Sequence, residues 1–139
     1  MNILLDTNVV LDHFLSREPN TDSIDKIFDM IYKDEIEAAV TANSITDIYY
    51  IISKSKGDIS AREALRYLFD TLSIISIERD DCISALNLPM TDFEDAMVAV
   101  CAGKDSFDFI VSNDKEFLKV DPNIARVIPS DDLLKLISP

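Results

Sequence analysis

The sequence predicts an α/β domain built on a small parallel sheet of four to five strands, with helices on both faces. Short apolar runs alternate along the chain with segments whose apolar residues recur at helical spacing. The runs are apolar throughout, which is typical of parallel strands buried on both faces. The chain has 139 residues, 47% of them hydrophobic. This length suits one compact core, so we expect a single domain over residues 1–139.

The first half of the chain predicts two strands and four helices. Residues 2–5 form an apolar run that ends at Asp6, and Val10, Leu11 and Phe14 follow at helical spacing. Next come a helix with the stripe Ile24, Ile27, Phe28 and Ile31, a strand at residues 38–40, a helix beginning near Ser44, and a helix with Ala61, Ala64, Leu65, Leu68 and Phe69 on one side. We expect the polar residues 54–58 to form a loop between the last two helices.

The second half continues the alternation. It predicts a strand at 73–77, a short helix at 80–88, a helix at 92–104 ended by Gly103, a strand at 107–111, a helical turn at 114–118, a strand at 126–128 and a terminal helix at 130–137. Helices thus separate most of the predicted strands, as parallel connections require.

Composition excludes several classes of protein. The chain has only two glycines, Gly57 and Gly103, so it cannot carry a glycine-rich nucleotide-binding loop. One histidine and two widely separated cysteines exclude a structural zinc site and a CxxC redox pair. The longest apolar run, residues 96–102, is too short to span a membrane. We therefore expect a cytoplasmic protein with no membrane association.

Carboxylate groups dominate the charge of the chain. There are 26 Asp and Glu residues against 13 Lys and Arg, which gives a formal net charge of −13. Such a field repels nucleic acid and anionic membranes at long range. A hard divalent cation held by carboxylates would reverse this repulsion locally.

Two aspartates follow predicted strands. Asp6 comes directly after the first strand, and Asp114 follows the strand at 107–111 through Ser112 and Asn113. Ligands of open parallel sheets bind outside the carboxyl ends of the strands. Either aspartate alone could simply cap the next helix. The two together favour a shared site.

The segment from Thr91 to Asp95 places more acids at the start of a helix. We expect Thr91 and Glu94 to form a capping box, which assigns Glu94 a structural role. Asp92 and Asp95 then lie about 60° apart on one flank of the helix, where they could bind a ligand. The alternative is that both acids only complement the helix dipole.

Asp47 lies on the helix that begins near Ser44, a helix that is apolar nearly all round. Ser44 and Asp47 have the spacing of a capping pair, so a structural role and a site role stay open. Nearby, Lys54, Lys56, Arg62 and Arg66 form a basic cluster. It is either a solvated face or a contact for phosphate groups.

Four motifs in order resemble one family. They are LLDTNVVLD around Asp6, ITDIYY around Asp47, DFEDAMVAVCA around Asp95 and IVSNDKEF around Asp114. With this order of elements the sequence resembles the PIN-domain ribonucleases and, in size, the VapC-type toxins of toxin–antitoxin pairs. The resemblance covers essentially the whole chain.

The resemblance implies an acidic catalytic cluster. It comprises Asp6, Asp47, Asp95 and Asp114, with Asp6, Asp95 and Asp114 as metal ligands and Asn8, Asp92 and Ser112 as accessory residues. The family more often has glutamate at the position of Asp47, and the shorter side chain suits a contact bridged by water.

The resemblance also implies an activity and partners. The expected activity is a Mg²⁺- or Mn²⁺-dependent endoribonuclease that leaves a 5′-phosphate and a 3′-hydroxyl. The substrate would be RNA, the chain would form a homodimer, and an antitoxin segment would cover the acidic groove.

Two other functions stay open from the sequence alone. Asp6 could accept a phosphoryl group in a Mg²⁺-dependent phosphotransfer domain, although haloacid-dehalogenase-type sites usually have a second aspartate where this chain has Asn8. The acids could instead cap helices and solubilise a non-catalytic interaction module.

Overall fold

The computed structural model describes residues 1–138 and confirms the predicted α/β class. The five strands are β1 (Asn2–Leu5), β2 (Glu37–Thr41), β3 (Ser73–Ile75), β4 (Phe109–Val111) and β5 (Val127–Ile128). The helices of the described part are α1 (Thr7–Leu15), α2 (Thr21–Tyr32), α3 (Ser44–Lys56), α4 (Asp58–Thr71), α5 (Arg79–Leu86), α6 (Phe93–Lys104), α7 (Lys115–Leu118) and α8 (Ser130–Ile137). No helix within residues 1–138 is long and apolar enough to cross a membrane.

All strand pairs in the sheet are parallel, and the strand order is β3-β2-β1-β4-β5. The chain builds outward from β1 to β3, and then returns to the other side of β1 with β4 and β5. The order of the strands therefore reverses between β1 and β4, where Leu5 pairs with Val111. This reversal is the point at which doubly wound sheets bind their ligands.

Side chains of each central strand alternate between two apolar layers. Ile3 and Leu5 belong to the larger layer, which also contains the buried faces of α1, α2, α3, α4 and α8. Leu4 and Ile110 face the other way and pack with Val98 of α6 and Phe117 of α7. Both layers are almost fully excluded from solvent. Burial on both faces explains why the strands are unbroken apolar runs.

The loop predicted at residues 54–58 is wrong. Helix α3 runs to Lys56, α4 begins at Asp58, and only Gly57 separates them. Gly57 has φ +91° and ψ 168°, a conformation open essentially to glycine alone. Its N–H donates to the carbonyl of Ser53 and its carbonyl accepts from the N–H of Ala61. One glycine thus makes the whole turn, and the polar residues before it extend α3.

Helix α6 ends at Lys104, the predicted bound, which lies one residue past Gly103. The ammonium group of Lys104 donates to a carboxylate oxygen of Asp81 at 2.7 Å and to the carbonyl of Ser76 at 2.9 Å. These bonds tie the last turn of α6 to α5. They explain why the helix extends past the glycine.

The two glycines provide a matched test of these bounds. We predict that Gly57→Ala lowers the free energy of unfolding by about 1–3 kcal/mol, because alanine is strained at this positive φ. Gly103→Ala should instead raise it by about 0.5–1 kcal/mol, because alanine favours the helix. An added Cβ meets no atom within 4 Å at either position, so packing does not enter the comparison. Urea unfolding of both variants is the measurement. A Gly57→Ala variant with the parent's free energy of unfolding would contradict the turn described at this glycine.

Candidate active site

The first acid of the site stands at the reversal point of the sheet. Asp6 follows β1, and its N–H donates to the carbonyl of Val111 at 3.0 Å, so the ladder between β1 and β4 extends to the site. Only 8% of Asp6 is exposed. The hydroxyl of Ser112 donates to the Oδ2 atom of Asp6 at 2.8 Å. The Asp6 carboxylate is therefore buried and fixed in orientation.

Ser112 joins the ends of the two central strands. It is fully buried, and its Oγ atom accepts a hydrogen bond from the N–H of Asp114 at 3.1 Å. Its own N–H donates to the carbonyl of Ile128 at the end of β5. One hydroxyl group thus contacts both the carboxylate of Asp6 and the backbone of Asp114. The structure brings these three predicted residues together.

The predicted capping box of Thr91 and Glu94 is wrong. Helix α6 begins at Phe93, and its N-cap is Asp92, whose Oδ1 atom accepts from the N–H of Asp95 at 3.0 Å. The backbone of Asp92 is extended, with φ −96° and ψ 118°, and this puts its carboxylate rather than the Thr91 hydroxyl beside the free N–H groups of the helix. Glu94 is left exposed. Asp92 therefore has a structural role and also holds the backbone of Asp95.

The pKa values show which acids share one electrostatic environment. Burial raises the pKa of Asp6, and the charges of Asp114 and Asp92 add to this, while hydrogen bonds from Ser112 and Thr7 oppose it. The pKa of Asp95 is raised to about 7, first by burial and then by Asp92, Asp6, Asp114 and Glu94. A carboxylate whose charge raises the pKa of another lies close to it. The charges of Asp92 and Asp114 act on both Asp6 and Asp95, and we call these four acids the acidic cluster; the charge of the exposed Glu94 acts on Asp95 alone.

Asp47 occupies a different position. Of the two roles left open for Asp47, the capping pair with Ser44 does not form, because the Ser44 hydroxyl contacts Thr7 at 2.8 Å and Thr41 at 3.0 Å and makes no cap on α3. The Thr7 contact sets the start of α3 beside the start of α1, and the half-buried Asp47 follows one turn later. Within residues 1–138, the charges that raise the pKa of Asp6 and Asp95 do not include Asp47.

Asn8 lies in the first turn of α1, and its partner Arg17 is not evident from the sequence. The Oδ1 atom of Asn8 accepts a hydrogen bond from a terminal nitrogen of Arg17 at 3.4 Å, and Nε of Arg17 donates to Asp12 at 2.7 Å. The available signal was a basic residue shortly after α1 in a strongly acidic chain. Spacing alone does not show that its side chain turns back along the helix.

Two clefts border the acidic cluster. One, of about 310 Å³, is lined by Asp92 and Asp95 together with the apolar side chains of Met90, Phe117 and Val120. The other, of about 270 Å³, is lined by polar residues that include Asn8, Asp12, Arg17, Asn113 and Asp114. The cluster can therefore be reached from two sides.

The chemistry of the cluster suits a hard divalent cation. All its donors are carboxylate oxygens, the atoms that Mg²⁺ and Mn²⁺ prefer. A cation between the carboxylates would offset the repulsion that raises the pKa of Asp95. Within residues 1–138, no three carboxylate, imidazole or thiol groups already surround one point. Side-chain rotation would accompany cation binding.

Comparisons with known proteins agree with this fold. A family model described as PIN domain matches residues 2–116. The chain is 27% identical over 127 residues to Ribonuclease VapC1 of Aquifex aeolicus (strain VF5), covering 86% of this chain and 85% of that protein.

Solved structures of other proteins resemble the fold of this chain over most of their length. A chain of VapBC2 from Rickettsia felis, bound to a DNA fragment from its promoter, has a TM-score of 0.69 at 18% identity and covers 93% of this chain and 98% of that one. VapC20 of Mycobacterium tuberculosis, described as a toxin that cleaves the sarcin-ricin loop, has a TM-score of 0.66 at 11% identity, covering 83% and 92%. Because the family model spans most of the sequence, the chain belongs to the PIN domain family.

Proposed function

We propose that this protein is a divalent-metal-dependent endoribonuclease and the toxin of a toxin–antitoxin pair. The proposal rests on the acidic cluster. These carboxylates lie where the strand order of the parallel sheet reverses, and the pKa values of Asp6 and Asp95 are raised. The names of the relatives support it, since one is a ribonuclease and another a toxin that cleaves the sarcin-ricin loop. Because RNA is the proposed substrate, the cytoplasm is the proposed compartment.

Asp6, Asp95 and Asp114 are the residues we assign to hold Mg²⁺ or Mn²⁺. When bound, such a cation lowers the pKa of a water molecule and stabilises charge on phosphate oxygens during in-line attack. The chain supplies no nucleophile of its own in this scheme. Hydrolysis would leave a 5′-phosphate and a 3′-hydroxyl.

The remaining residues position the ligands. Ser112 holds the Asp6 carboxylate and the backbone of Asp114, so the two acids stay at the same edge of the sheet. Asp92 fixes the first turn of α6 and with it Asp95. Asp47 would contact the cation through water, and Asn8 would present its amide to the substrate or to Arg17.

The alternatives have weaker support. Phosphotransfer sites of the haloacid-dehalogenase type usually have a second aspartate two residues after the first, and this chain has Asn8 there. The family match and the raised pKa values of Asp6 and Asp95 are not expected of acids that only solubilise an interaction module.

Partners follow from the relatives. Two of the similar structures are a VapBC assembly of Rickettsia felis and a toxin–antitoxin complex of Klebsiella pneumoniae. We propose that an antitoxin segment covers the acidic cluster of this chain and that the chain forms a homodimer. Tyr50 of α3 is 59% exposed, and Ile51 beside it is partly exposed, which leaves apolar surface for a partner.

We predict that Asp6→Asn, Asp95→Asn and Asp114→Asn each lower RNA cleavage by about 100-fold or more, because each removes a proposed cation ligand. Glu94→Gln is the matched control, since Glu94 is exposed in the same turn of α6 as Asp95 and is not a proposed cation ligand. It should stay within about twofold of the parent. The assay is cleavage of a mixture of structured RNAs with Mg²⁺ or Mn²⁺, with and without chelator. Cleavage that resists chelation, or an equal loss in a folded Glu94→Gln, would refute the assignment.

A second prediction concerns stability without the cation. The pKa of Asp95 is about 7 in the folded chain and 3.8 ordinarily, so the folded state binds this proton more tightly. The protonated Asp95 carboxyl therefore stabilises the fold. This stabilisation is complete below pH about 4 and is lost as the pH rises to about 7. With chelator at pH about 8, Asp95→Asn should therefore be more stable than the parent. We expect about 1 kcal/mol after allowing for solvent screening, or about 4 °C in Tm.

Melting curves with chelator at pH about 4.5 and about 8 measure this difference, which should nearly vanish at the lower pH. Saturating Mn²⁺ should raise the Tm of the parent much more than that of Asp95→Asn. If Asp95 only complements the helix dipole, the variant would instead be slightly less stable at pH about 8 and would keep the full response to Mn²⁺.

A further inference from the structure

We propose that Arg17 binds an RNA phosphate that flanks the one being cut. The inference rests on the proposed ribonuclease function and assigns a substrate-positioning residue to it. Its basis is a juxtaposition: Arg17 and Asp114 line the same cleft of about 270 Å³. That cleft borders the acidic cluster on the side of α1.

The side chain of Arg17 is held toward the cluster by bonds to α1. Arg17 follows the end of the helix, and its backbone N–H donates to the carbonyl of Asp12 at 3.0 Å. Its Nε atom donates to the Asp12 carboxylate at 2.7 Å, and a terminal nitrogen donates to Asn8 at 3.4 Å. The guanidinium thus runs back along the helix toward its start, where Asn8 lies two residues after Asp6.

This arrangement leaves donors for a ligand. A guanidinium has five N–H groups, and the bonds to Asp12 and Asn8 use one each. The other three, on a side chain that is 40% exposed, can turn to the cleft. The fork geometry of these donors matches two oxygens of a phosphate group. Because Asp12 and Asn8 already orient the group, binding loses less rotational freedom than it would for a free surface arginine.

The lining of the cleft favours a phosphate of the substrate over other anions. Its other polar walls include Asn20 and Asn113, and the Asn113 amide is fixed by its bonds with Ser130. Asp12 and Asp114, the two carboxylates of the cleft, repel any free anion that brings no cation with it. When the scissile phosphate of an RNA strand lies at the cation site, the covalent backbone places the next phosphate of the RNA near the cleft. In a protein of net charge −13, one oriented arginine beside the cluster would supply the local attraction that the strand needs.

Single-turnover cleavage of a single-stranded RNA with Mn²⁺ tests the proposal. The half-saturating protein concentration and the maximal rate are measured at about 50 to 200 mM KCl, for Arg17→Gln, Arg17→Lys and the control Arg126→Gln. Arg126 lies over the Phe109 ring just before β5, at the opposite end of the sheet from Asp6. Its substitution removes the same charge without touching the cleft.

For Arg17→Gln we expect a half-saturating concentration raised roughly tenfold, since a charged hydrogen-bonded contact is lost, with the maximal rate nearly unchanged. The slope of log affinity against log salt concentration should become shallower by about 0.7, as expected for the loss of one phosphate contact. Raising the salt from about 50 to 200 mM should then weaken binding by this variant about 2.6-fold less than binding by the parent. Arg17→Lys should keep the parent's salt slope while binding less tightly, because lysine retains the charge but not the fork. Arg126→Gln should match the parent.

An Arg17→Gln variant with the affinity and salt slope of the parent would overturn the proposal and leave the ribonuclease function standing. A loss of maximal rate alone would also overturn it. If Arg17→Gln unfolds because Asp12 loses its partner, the comparison of Arg17→Lys with Arg126→Gln decides instead, and equal behaviour of those two refutes the contact. A parent protein that cleaves no RNA would refute the proposed function itself, and this inference with it.

Discussion

The buried carboxylate of Asp6 is the constraint on which the rest of the site depends. Asp6 ends the central strand β1, where burial raises its pKa and the hydroxyl of Ser112 partly compensates. Neighbouring strands bring Asp114 to the same edge, and α6 brings Asp95 against both. The resulting repulsion opposes folding unless a cation or protons neutralise it. A site that is unfavourable alone but favourable with its cation is a common compromise between stability and function.

Much of the fold could be predicted because its elements have strong patterns. Buried parallel strands are apolar runs, and the helices between them carry apolar stripes, so the order of strands and helices follows from spacing. Asp6 and Asp114 could be placed at one edge because carboxyl ends of parallel strands share an edge. Ser112 could be predicted as a neighbour from its position between β4 and Asp114, but not as the hydroxyl that contacts both acids.

The remaining details depend on the backbone, which spacing does not determine. Thr91 and Glu94 have the same separation as Asp92 and Asp95, and only the extended backbone before Phe93 decides which pair caps α6. The turn at Gly57 is shorter than polar composition suggests, because a single positive φ can redirect the chain. The direction of the Arg17 side chain is set by its bonds to α1, which connect positions that no standard helical spacing relates.

The central claim is that Asp6, Asp95 and Asp114 share one divalent cation, and a crystal structure of the protein with Mn²⁺ tests it most directly. Anomalous scattering locates the ion independently of the protein atoms. We predict a peak beyond the ends of β1 and β4, at direct-ligand distance, about 2 Å, from carboxylate oxygens of these three residues. A fully occupied ion at another place, or no ion at the cluster at saturating Mn²⁺, would contradict the account.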